Sequence, residues 1–280
     1  MSHIHSTSYG ESRLRILRIL RRGDRHDPKD LTIALRFEGD FARAFQQGNA
    51  AGLPPGETVK NLVHRVASEQ DHAEIEQLGL VICERILDRH PKLGLARVEL
   101  TENNWARLEP GGKVQGQAFT PGGVERRTAT ITSNGSRVSV SSGIENLVLL
   151  RTAGLTSPRR GASDDDGTAD GVQRLLIAAL AARWSYTSGD IAFLPYRQGV
   201  RGAIIETFAW HATRSVQHTL YAMAEVILAT YQEIAQVTLT LQEHPYRPVD
   251  LLEMEHDDLF IARDEPVGIV EVTVERESPP

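Results

Sequence analysis

Cysteine is almost missing from this chain: Cys83 stands alone among 280 residues. One chain therefore has no internal disulfide and no zinc site built from cysteine pairs. Cys83 ends the apolar run Leu78-Gly-Leu-Val-Ile-Cys83, where a buried, inert thiol is expected. No apolar run approaches the length of a membrane span. Positive charge is also short. Lysine and arginine number 31 against 37 acidic residues, a net charge of −6. That balance argues against nucleic acid as a main partner and gives no attraction to anionic lipid. No Gly-rich phosphate loop or His-Glu-x-x-His helix occurs. The start, Met1-Ser-His-Ile-His, has no signal-peptide apolar core, and the last residues, Glu277-Ser-Pro-Pro, are no peroxisomal tripeptide. A cytoplasmic protein is expected.

What is present is ordinary globular material, 40% apolar and 24% charged. Residues 12–22 alternate charged with apolar as a strand with one wet face does, and Asp30–Gly39 reads as its antiparallel partner. Asp40–Gln47 fits either a continued strand or a short helical turn. After the break at Pro54-Pro55-Gly56, helices are predicted from Glu57 and over about 71–89. Strands follow at 93–108 and 115–133, with a bulge or turn at Pro121-Gly-Gly. The second half repeats the order. A strand is expected at 138–153, an ambiguous apolar segment at 172–186, helices at about 201–213 and 215–234, and strands at 236–243 and 267–276. Strand–strand–helix–helix–strand–strand, twice, predicts an α+β chain of two units, 1–136 and 137–280, each an antiparallel sheet with helices on one face. Leftover sheet edges favour closure by oligomerisation.

The most informative stretch is the helix at 215–234. Ser215 is a good N-cap, and Leu220, Met223, Ile227 and Tyr231 recur as a core face. That leaves Val216 and Gln217 in the first turn, where N–H groups lack intrahelical partners and the dipole favours an anion. Gln217 is either a solvated residue or an amide that reads a planar heterocycle by donating one hydrogen bond and accepting another. Arg174, facing such a glutamine, would complete a bidentate clamp for a planar, acidic ring. Asp164-Asp165-Asp166-Gly167 lacks the remaining spacing of a calcium loop and reads as a solvated acidic loop. His211 and His218 are separated by the Ser215 cap, which places them on different helices rather than in one metal site.

These pieces together resemble the urate oxidases, the cofactor-independent uricases. The resemblance runs from Tyr9-Gly10 through Lys60-Asn61 and Ser142-Gly143-Ile144 to Arg174-Leu-Leu, Trp184, Ser215-Val216-Gln217 and Met223-Ala224-Glu225. It implies two tandem T-folds, a homotetramer around a sheet-lined tunnel, active sites at subunit interfaces, and oxidation of urate by molecular oxygen with no cofactor or metal. It further implies that Arg174, Gln217 and the backbone N–H of Val216 clamp the ring, with Glu57 beside the substrate. Departures fall on the catalytic parts. The family's lysine after Tyr-Gly is replaced by Glu11. Its threonine position holds Gly56, with Thr58 as an imperfect substitute. The asparagine over the oxygen site falls on Glu243, and the histidine two residues later falls on Pro245, with His244 one place off. The stacking phenylalanine falls near Ser157.

A carboxylate at Glu11 would repel a urate anion unless it is protonated or paired with a cation. Three functions therefore stand open. The first is oxidation of urate or a related purine-like ring, with Glu11 and His244 replacing the usual relay. The second is hydrolysis or isomerisation of a purine- or pterin-like ring, with Glu11 or Glu243 as general acid/base. The third is a non-catalytic ligand-binding homologue.

Overall fold

A computed structural model describes residues 3–70, 74–152, 155–156, 172–173, 175–212, 215–248, 259–263 and 268–277. The chain divides into two compact units, Met1–Gly143 with Ser185–Leu194, and Ile144–Trp184 with Pro195–Pro280.

The first unit opens with β1 (Ser8–Arg22) and β2 (Arg25–Gly39), an antiparallel pair. Next come a short helix α1 (Ala42–Gln47), then α2 (Gly56–Glu69) and α3 (Ile75–Arg89). Strands β3 (Leu93–Arg107) and β4 (Phe119–Ser133) complete the antiparallel order β1-β2-β3-β4, and β5 (Val138–Arg151) leads onward. Asp40–Gln47 thus resolves as a helical turn ended by Gly48 in the left-handed region. The core follows from period-two alternation: Leu31, Ile33, Leu35 and Phe37 of β2 and Ala96, Val98 and Leu100 of β3 are buried on one face. Against that face lie Val59, Val63 and Val66 of α2 and Ile75, Leu78, Ile82 and Ile86 of α3, the apolar stripes of two amphipathic helices. Cys83 is in this core, its thiol pushed up to about 12 by burial, which fits the inert role expected of it.

In the second unit the strand order is β5-β8-β9-β12, where β8 is Leu176–Tyr186, β9 is Ile234–His244 and β12 is Ile269–Glu275. Two small pairs lie outside that order, β6 (Leu155–Thr156) with β7 (Val172–Gln173), and β10 (Tyr246–Pro248) with β11 (Phe260–Ala262). The ambiguous apolar segment is a strand despite its alanines. Leu176, Ala178, Leu180, Ala182 and Trp184 alternate into the core, so burial on a pleated face overrides helical propensity. The helices are α4 (Phe193–Trp210) and α5 (Val216–Thr230). Helix α4 begins earlier than its sequence suggests. Pro195 sits in the first turn, where no N–H is required, and Gly199 lies inside the helix. A Cβ at Gly199 would fall 1.7 Å from the Tyr231 hydroxyl, so this glycine marks a close side-chain approach rather than a break. Helix α5 ends at Thr230, and Tyr231 is its C-cap.

Candidate active site

Ser215 is extended (φ −164°, ψ 164°), and its hydroxyl accepts from the backbone N–H of His218 at 3.1 Å. This is the N-cap geometry expected, and it leaves the N–H groups of Val216 and Gln217 outside the helix's own ladder. Val216 lines a small apolar cavity with Arg151, Leu176, Phe208, Thr219, Leu220 and Leu241. The Arg151 guanidinium donates to the carbonyls of Phe208 (3.1 Å) and His211 (3.0 Å), fixing the end of α4 just before the cap. Gln217 is exposed. The first turn of α5 is thus rigid on its core side and open at its amides. Arg174 and Ser157 lie outside the described residues, as does the acidic loop at 164–167; Leu176, two residues after Arg174, is buried in the Val216 cavity.

A second group surrounds Glu11. Directly opposed residues on antiparallel strands share a face, and Tyr9 pairs with Phe37 and Glu11 with Leu35, both on the helix-covered side. The register slips between Glu11 and Leu14, where Arg13 is left-handed (φ 59°). This bulge restores Leu14 to the same face and leaves Glu11 aimed at the start of α2. There the Tyr9 hydroxyl donates to Glu11 Oε1 at 3.3 Å, and Lys60 Nζ stands 3.9 Å from Glu11 Oε2. Lys60 also donates to Glu57 Oε1 at 3.2 Å. The Lys60 ammonium is held above the usual lysine range, first by that hydrogen bond and then by the Glu11 charge. Burial, then the Glu11 charge and hydrogen bond, push the Tyr9 phenol up. The cation demanded by a carboxylate at position 11 is therefore present, on α2 rather than β1. Sequence reasoning met Lys60 and Tyr9 only as parts of motifs. The available signal was spacing, because Lys60 lies three residues after Glu57 and four after Gly56, within reach of each along the helix surface.

The other candidates separate. Thr58, two residues past Gly56, turns to a groove with Asn61, Leu62, Arg65, Arg85 and Arg89, so it is not brought to Glu11. Glu57 is exposed and engaged by Lys60. On β9 the buried residues Val237, Leu239 and Leu241 put Glu243 on the inner face and His244, exposed, on the opposite one. Burial pushes the Glu243 carboxyl up. His211 lies just past the end of α4 rather than on it, and His218 is in α5, with ring centroids 4.8 Å apart. No group of three or more possible metal ligands occurs among the described residues. No helix among them is long and apolar enough to cross a membrane.

An α+β chain whose halves repeat one strand-and-helix order is similar to a group of known proteins. The uricase family model matches residues 140–271. A uricase of Arthrobacter globiformis is 28% identical over 274 residues, covering 96% of this chain and 88% of that protein. A uricase of Danio rerio is 26% identical, covering 96% and 93%. The crystal structure of the Arthrobacter globiformis uricase superposes with a TM-score of 0.90 at 25% identity, covering 100% of this chain and 97% of that one. A uricase from Bacillus fastidious, 18% identical, shares the fold with a TM-score of 0.81 over 98% and 94%. The chain is similar to uricases along nearly its whole length, and its fold is the tandem α+β arrangement expected from that resemblance.

Proposed function

We propose that this protein is an oxidoreductase that oxidises urate, or a urate-like purine heterocycle, with O2 and without a cofactor. The observation that supports this reading most is the first turn of α5, where the Ser215 cap leaves the Val216 and Gln217 amides open toward an anion. In this reading Arg174 pairs with the ring from one side, while Gln217 and the Val216 N–H hold its other edge. Ser157 covers the ring in place of a stacking aromatic. Glu11 accepts a proton from the bound ring, so that the more electron-rich anion gives two electrons to O2. Two protons then complete hydrogen peroxide. Lys60 at 3.9 Å offsets the repulsion between Glu11 and the substrate anion. The working form is a cytoplasmic homotetramer with active sites at subunit interfaces, arranged around a sheet-lined tunnel.

The test is aerobic turnover by a metal-free preparation. Urate absorbance should fall with one O2 consumed and one peroxide formed per ring. Silence across urate, xanthine and 8-oxoguanine would sink the oxidase reading. A second reading, general-acid hydrolysis or isomerisation of a purine- or pterin-like ring, is favoured by one observation, the Glu243 carboxyl that burial keeps toward its protonated form. Turnover that persists without oxygen would select it. Binding without turnover under either condition would leave a ligand-binding homologue.

A further inference from the structure

The berth of Glu11 is set by what position 56 lacks. Helix α2 starts at Gly56 after Pro55 (φ −63°, ψ 129°), a residue with no side-chain cap to offer. A Cβ built on Gly56 would fall 2.3 Å from Glu11 Oε1 and 3.5 Å from the Tyr9 hydroxyl. The neighbour at 2.3 Å is the carboxylate itself, the far end of a flexible side chain, so a side chain at 56 would make the Glu11 carboxylate shift from this place. The opposite oxygen faces Lys60, which is tied to α2 by its bond to Glu57. We infer that Gly56 and Lys60 are positioning residues for Glu11: the missing side chain at 56 admits the carboxylate, and Lys60 holds it there. Glu11 is then useful only with a glycine at 56, and the two positions act as one unit. This inference rests on the reading of Glu11 as the proton acceptor.

The geometry also separates this role from a merely structural one. Gly56 is not in the left-handed region, so alanine fits its backbone, and alanine is the better helix former. If Gly56 were only a helix residue, Gly56→Ala would leave turnover unchanged and raise stability slightly.

The experiment uses the full-length protein with Gly56→Ala, Glu11→Ala, the double variant, Lys60→Met and Lys60→Arg. Melting temperature, anaerobic urate affinity and aerobic kcat and KM against pH are measured for each. Gly56→Ala should keep or raise Tm, bind urate within about threefold of wild type, and lose roughly 10²-fold in kcat, the scale of a misplaced catalytic group. In the Glu11→Ala background the same substitution should cost nothing further. Lys60→Met should lower kcat with KM little changed, and Lys60→Arg should restore it. A substrate-free arm follows the Tyr9 ring carbon by NMR during titration. Glu11→Ala and Gly56→Ala should both lower the Tyr9 pKa, since each takes the carboxylate away from its hydroxyl. Wild-type turnover in Gly56→Ala, or losses that add to those of Glu11→Ala, would overturn the inference. An unmoved Tyr9 titration in Gly56→Ala would also overturn it. If every variant and the wild type fail to bind or turn over urate, the oxidase reading fails by itself, and the Tyr9 titration still decides whether Gly56 seats Glu11.

Discussion

Two helix starts in this chain meet the same physical problem and solve it in opposite ways. The first turn of α2 has no capping side chain at Pro55, and the chain's own carboxylate, Glu11, stands where a side chain on Gly56 would be. The first turn of α5 is capped by Ser215, and its outer amides are left unfilled. One start is occupied by a built-in acid–base group; the other is free to receive an anion. The difference teaches that a helix N-terminus is informative only with its surroundings. Around α2 Lys60 is shared by two carboxylates of the same chain, Glu11 and Glu57, whereas around α5 the proposed partner is a bound anion.

The largest break in this comparison is expected at Glu11. Glu11→Gln keeps the shape but removes the base, and kcat should fall by roughly 10²–10⁴-fold with urate affinity little changed. Stopped-flow and calorimetric measurements on one preparation would separate the two quantities. Next comes the open turn. Val216 is the first helical residue, where proline is tolerated, so Val216→Pro removes one N–H and leaves the helix standing. It and Gln217→Ala should each weaken urate binding by about 10–100-fold, the worth of a hydrogen bond to a charged group. Unchanged affinity in Val216→Pro would take the backbone amide out of the clamp.

A smaller effect is expected just beyond the Glu11 bulge. Asp30, 2% exposed, accepts from Arg15 (3.0 and 2.7 Å), Asn103 (3.3 Å) and Trp105 (3.2 Å), and the Arg15 bond chiefly holds its carboxyl below the usual range. Its contribution to stability is therefore complete above the ordinary carboxylate value and lost as pH falls through the lower folded value. Asp30→Asn should cost about 1–2 kcal/mol near neutrality and remove that acid-side loss, as seen by denaturant unfolding at several pH values. The smallest is Ser215→Ala, about 1 kcal/mol through the lost cap, with the affinity falling only as far as the turn frays.

The α5 turn was legible in the sequence because a cap residue, a core stripe and a spare first turn are all local patterns. The alternating core of β2 and the stripe of α3 were legible for the same reason. The Glu11 group was not. Its aim depends on a bulge at Arg13, which carries no glycine to mark a left-handed residue, and its cation comes from another element. Gly56 read as a missing hydroxyl, while the space it leaves became visible only with Glu11 in place. Strand β8 and the early start of α4 were decided by burial and by the Tyr231 contact at Gly199, both tertiary facts.

The central claim is that the open turn of α5 holds a ring which the filled turn of α2 helps to oxidise. It is tested most directly by metal-free turnover of urate in an oxygen electrode with peroxide detection. The account predicts O2 uptake matched by peroxide, abolished without oxygen, lost in Glu11→Gln while binding persists. Turnover unaffected by Glu11→Gln, or no urate binding that depends on Gln217 and Val216, would contradict it.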